Sequence, residues 1–133
     1  MGQTEGKMSG PNWKLADDRE FVTIAFPTDP PAALRLNANQ VDDVLDNLGA
    51  LRAAMKREIP RTFALGQPVE AVADPIWATE PDALLGNSLL HLRDPRFGWL
   101  HYAIPKEEAR KLARLLQSQA DAPPPGQRSG KAN

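Results

Sequence analysis

The stretch NSLLHLRDPRFGWLHYAI, residues 87–104, decides the fold. Its residues alternate. Leu90 and Leu92 lie on one side, with Leu89, His91 and Arg93 on the other. After the interruption, Leu100, Tyr102 and Ile104 alternate with Trp99, His101 and Ala103. A period of two marks a strand that buries one face. The interruption DPRFG is a turn: proline presets φ, and glycine accepts the positive φ that closes a hairpin. The pattern predicts a register that sets Leu92 against Leu100, Leu90 against Tyr102, Arg93 against Trp99 and His91 against His101. A slip of one residue would set Leu92 against the polar side, so the alternation itself selects the pairing.

A helix is predicted next, over IPKEEARKLARLLQSQ. Pro105 is expected at its first helical position, with Glu107 and Glu108 in the first turn, where the macrodipole favours acids. Ala109, Leu112, Ala113 and Leu116 form the apolar stripe. The first half of the chain reads the same way. FVTIAF (21–26) alternates, PTDPPA turns, and ALRL adds Leu34 and Leu36. A second helix follows, with Asn37 and Gln40 spaced as a capping box and Asn39 as an alternative cap. Val41, Val44, Leu45, Leu48, Leu51, Arg52 and Met55 lie along one side. Gly49 inside it costs about 1 kcal/mol relative to alanine.

The parallel extends upstream. PNWKLADD from Pro11 and PIWATEPD from Pro75 both read Pro-x-Trp with Asp in the eighth place, Asp18 and Asp82. Asp29-Pro30 matches Asp94-Pro95. The expectation is an internal duplication of a β-β-β-α unit, with repeats over 11–58 and 75–118. The expected fold is α+β: a two-layer sandwich with one antiparallel sheet of about four to six strands and two helices on one face. Residues 59–74 are expected to form a linker loop, with Val69–Ala73 as a candidate short strand. Residues 1–10 and 119–133 lack apolar periodicity or are rich in Pro, Gly and Ser, and are expected to be disordered tails around a single domain over 11–118.

Composition narrows the function. The chain has 133 residues, 41% apolar and 25% charged, with a net charge of −1 and no cysteine. Disulfides, iron–sulfur clusters and thiolate chemistry need cysteine. A near-zero net charge gives no global pull toward nucleic acid or anionic membrane. No window reaches the apolar length of a membrane span, so the expected location is cytoplasmic.

No stretch carries a catalytic or cofactor motif. The expectation is no cofactor, no metal and no enzyme activity. His91 and His101 are the two histidines. Side by side they form half of a metal site, with Glu80, Asp82 or Asp94 as further ligands, although four ligands are the usual set for zinc. Ser88 with a histidine and Asp94 lacks the elbow and oxyanion loop of a hydrolase. Asp42, Asp43 and Asp46 already have a reason to stand near a helix start. Lys106, Arg110, Lys111 and Arg114 read as a solvated helix face supported by Glu107, which disfavours nucleic acid as a partner.

The strongest lead is the outward face of the sheet. It is expected to carry Phe21, Leu89, His91, Arg93, Trp99 and His101, joined by Trp77, and the mixture of tryptophan and arginine suits an interface. The expected function is therefore association, with a second copy of the chain or with another protein. The alternative is a small-molecule or metal-binding protein, enzymatic or not, that uses His91, His101 and a cleft under the 59–74 loop.

Overall fold

The computed structural model describes residues 10–125. The chain is α+β and divides into two units, which part between Leu65 and Gly66. The first holds β1 (Asn12–Leu15), β2 (Phe21–Phe26), β3 (Ala32–Asn37) and α1 (Ala38–Ala54). The second holds β4 (Trp77–Pro81), β5 (Ser88–Asp94), β6 (Gly98–Ile104) and α2 (Lys106–Asp121). Each unit is an antiparallel meander of three strands followed by a helix.

The expected single sheet is thus corrected to two three-stranded sheets, ordered β1-β2-β3 and β4-β5-β6. The alternation of apolar residues is satisfied inside either meander. It carries no information on whether two meanders join along an edge, because edge pairing uses backbone groups that every sequence has.

Within the first unit, Trp13, Ile24 and Leu34 stand opposite one another, as do Leu15, Val22 and Leu36. These rows form one apolar face. Ile24, in the centre of the middle strand, is the one apolar residue buried among the described residues, at 8% exposure. The other face carries Lys14, Thr23 and Arg35 in one row, and the Arg35 guanidinium lies 3.8 Å from the centre of the Phe21 ring. The β1–β2 turn is held by Asp18, whose carboxylate accepts the Glu20 N–H at 2.9 Å. In the second unit Asp82 holds the corresponding turn, accepting from Leu84 N–H and Leu85 N–H.

Helix α1 starts where its sequence says it should. Asn37 Oδ1 accepts the Gln40 N–H and Gln40 Oε1 accepts the Asn37 N–H, both at 2.9 Å. This reciprocal box satisfies two otherwise orphaned donors. Helix α2 begins differently. Pro105 is its N-cap rather than its first helical residue, extended at ψ 149°, and it makes no side-chain cap. Glu107 and Glu108 occupy the first turn instead, where their charge faces the positive end of the helix, and Glu107 pairs with Arg110 one turn on. The helix continues to Asp121, so residues 119–121 belong to it and not to a tail. Gln117 supports this last turn by donating to the Asp121 carboxylate. No strand forms over Val69–Ala73. The expected disorder of residues 1–9 and 126–133 falls outside the described residues.

The glycines test these assignments in opposite directions. Gly49 lies inside α1, and a methyl group there would meet nothing within 4 Å. Gly98 sits at φ +78°, where an L side chain is strained. Gly49→Ala should therefore raise stability by about 1 kcal/mol and Gly98→Ala should lower it by about 1–2 kcal/mol, both read from urea unfolding.

Candidate functional site

The β5–β6 hairpin takes the register that its alternation selects. Leu92 faces Leu100, Leu90 faces Tyr102, His91 faces His101 and Arg93 faces Trp99. The closing pair is Asp94 and Gly98. The Asp94 carboxylate accepts the N–H of Arg96 at 2.7 Å and of Phe97 at 3.1 Å. Together these fix the hairpin tip and hence the row in which the two imidazoles meet.

Strand β4 completes the sheet and sorts the remaining candidates. Trp77 pairs with Leu92, Ala78 with His91, Thr79 with Leu90 and Glu80 with Leu89. Residues paired across antiparallel strands share a face. The outer face of this sheet is therefore Ala78, His91 and His101 in one row, with Arg93 and Trp99 above and Glu80, Leu89 and Ala103 below. The inner face is Trp77, Leu92 and Leu100, then Thr79, Leu90 and Tyr102.

Two expected members of the outer face are thus corrected. Trp77 lies on the inner face, where with Leu90, Leu92, Ile104, Leu112 and Leu116 it lines a cleft of about 590 Å³ between sheet and helix. Phe21 lies in the first unit, on a different sheet. Ser88 pairs with Pro81 and Ile104 and so falls on the opposite face from the histidines, which leaves no hydrolytic triad. The cleft expected beneath the linker is lined by Glu70, Val72, Pro95 and Arg96 and does not include either histidine.

The structure brings together His91, His101, Arg93, Trp99 and Leu89, and adds Glu80. His91 Nδ1 and His101 Nδ1 are 2.8 Å apart. His91 Nε2 is 2.7 Å from Glu80 Oε2. The rings meet edge to face, with centroids 5.0 Å apart. A carboxylate oxygen only accepts, so His91 Nε2 carries a hydrogen and donates it to Glu80. The two Nδ1 atoms share one hydrogen bond, one donating and the other accepting. The result is a continuous chain from Glu80 through His91 to His101. Arg93 lies in the next row, but its Nη1 donates to the Asp94 carbonyl at 2.8 Å.

The sequence did not single out Glu80 as the partner of His91. Its face depends on the register of β4, and the β4–β5 connection over residues 82–87 has no tight-turn signature that would fix it. The period-two pattern of β4 was also obscured, because Trp77, Ala78 and Pro81 carry no clear polar–apolar alternation.

Asp94 gives the site a dependence on acid. Its carboxyl is held below the usual carboxylate value, first by the N–H of Arg96, then by the N–H of Phe97 and the Arg96 guanidinium, with desolvation opposing them. A carboxyl lowered in the folded state adds stability that is present above its unfolded value of about 3.9 and is lost as pH falls through the lowered folded value. Asp94→Ala should melt below the parent protein at pH 7, and the gap between the two should close as pH falls toward about 2, by circular dichroism melts across pH. No family model, curated protein or solved structure matches this chain, so its chemistry is read from its own geometry.

Proposed function

We propose that this chain is an association module whose partner is a second copy of itself, and that the contact surface is the inner apolar face of its β-β-β-α units. The observation that carries this is the exposure of side chains that have every reason to be covered. Trp13 is 66% exposed, Leu48 59%, Trp77 65% and Leu116 55%. Leu15, Leu34, Leu45, Leu51, Met55 and Tyr102 are exposed as well. Burying one such side chain contributes about 1.5–3 kcal/mol. A unit of this size has little core to spare, so leaving this many uncovered forfeits most of its available stability.

On balance α1 is acidic and α2 is basic, which suits a second copy as the occupant. Asp42, Asp43 and Asp46 outnumber Arg52 on α1, and Lys106, Arg110, Lys111 and Arg114 outnumber Glu107, Glu108 and Asp121 on α2. A two-fold dimer that sets α1 of one copy against α2 of the other closes the apolar seam between complementary rims. On this reading the contact uses the inner faces, and the outer face around Trp99 stays open.

An internal duplication of one unit fits the same picture. Both units run β-β-β-α in meander order, both start with Pro-x-Trp, and in both an aspartate at the matching place accepts backbone N–H groups in the first turn.

Light scattering after size-exclusion chromatography should give twice the chain mass at micromolar concentration. Leu48→Glu and Leu116→Glu should each weaken the dimer by about a hundredfold, while Trp99→Ala leaves the mass unchanged. A wild-type monomer at about 100 μM would overturn the proposal, as would a dimer that only Trp99→Ala dissociates.

A further inference from the structure

We infer that the cleft between α2 and its own sheet binds an aliphatic carboxylate of on the order of eight to twelve carbons, with the alkyl chain in the cleft and the carboxylate at Lys106 and Arg110. The inference does not rest on dimer formation, since every wall of the cleft belongs to the second unit of one chain.

The cleft has the composition of a ligand site. Its volume is about 590 Å³, and Trp77, Leu90 and Ile104 line it from the sheet, with Leu112 and Leu116 from the helix. Sites for small organic molecules are of this size and mostly apolar, with a few polar groups that fix orientation. On α2 the lining runs from Ala109 to Leu116, which is about two turns, or about 10 Å along the axis. That length suits an extended chain.

The charge is gathered at one end. A smaller cavity of about 400 Å³ adjoins the cleft and shares Ser88, Ala109 and Ala113 with it. Its other walls are Lys106 and Arg110. Among the described residues, no acid lines either cavity. Lys106 stands at the start of α2 with its side chain against the β4–β5 turn, where a methyl group on Gly86 would meet its Cε at 3.5 Å and its Nζ at 3.7 Å. No carboxylate pairs with this ammonium among the described residues.

Arg110 donates to Glu107 through Nη1 and keeps its other N–H groups for a ligand. Glu107 is 84% exposed, and a pair so open to water is weak enough for a second carboxylate to compete with it. Ser88 stands where the two cavities join, and its hydroxyl is a further donor. Two cations at one end of an apolar run are the complement of an amphipathic anion. An alcohol of the same length would fill the cleft and leave the cations without a partner, whereas a carboxylate satisfies both ends.

The test titrates the full chain by calorimetry with octanoate, decanoate and dodecanoate below their micelle concentrations, and with decanol. One site per chain is expected, with affinity rising about fourfold for each added methylene until the cleft is full. Decanoate should bind at least about tenfold tighter than decanol. Lys106→Gln/Arg110→Gln should remove this preference and leave decanol binding unchanged. Ala113→Phe, which puts a ring in the cleft, should abolish binding of both. Should that variant fail to fold, as its melting temperature would show, Trp77→Phe takes its place: it should abolish the blue shift in tryptophan emission that decanoate causes in the native protein. Equal affinity for decanoate and decanol in the native protein overturns the inference, as does a preference that survives in the Lys106→Gln/Arg110→Gln variant. Light scattering on the same samples reads the dimer separately. Saturable decanoate binding by a monomer supports this inference and removes the dimer, and a dimer that binds no decanoate does the reverse.

Discussion

Each unit depends on the strict two-residue period of antiparallel pairing. Once Asp94 and Gly98 close the β5–β6 hairpin, every residue along both strands is assigned to a face. Nothing further is needed to bring His91 to His101, or to separate both of them from Leu90 and Tyr102. The carboxylate of Asp94 sets this frame by holding two backbone N–H groups in the turn, and Gly98 makes it sterically accessible. The polar chain on one face and the apolar cleft on the other are two results of the same registration.

Those two faces support different chemistry. The inner face carries bulky apolar groups with no preferred direction, and such a surface gains from any well-shaped cover. The outer face carries few groups, but they are directional. Glu80 accepts from His91 Nε2, and a hydrogen bond between the two Nδ1 atoms joins His91 to His101. A single thin sheet thus separates an apolar surface from one built on directional hydrogen bonds, because adjacent residues on a strand point to opposite sides.

Much of this was legible in the sequence, and the limits follow physical lines. The β5–β6 register followed from alternation around a turn with unmistakable chemistry. The start of α1 followed from Asn37 and Gln40, a local interaction between residues three apart. Local signals of this kind survive in any tertiary setting. Trp77 was assigned to the wrong face because β4 joins β5 through a connection whose length does not dictate register. Phe21 was grouped with the histidines because the pattern does not say which strand edges meet. Pro105 was placed one position too far into α2, since a proline fits both just before and just inside a helix start. Glu80 stood in the sequence only as one of three acids beside the His pair, with Asp82 and Asp94: its contact with His91 rests on a cross-strand diagonal that only the register of β4 can supply.

Strand β4 ends on Pro81, at the edge of its sheet. That residue has no N–H to offer, so the ladder cannot be extended past it from that side. A meander of three short strands otherwise leaves backbone groups open along its borders, which invites stacking into fibrils. Proline at this border removes a donor from the open edge, one row beyond that of Thr79, Leu90 and the exposed Tyr102. An exposed apolar face beside an open sheet edge needs this kind of stop, because the two together would otherwise favour open-ended stacking.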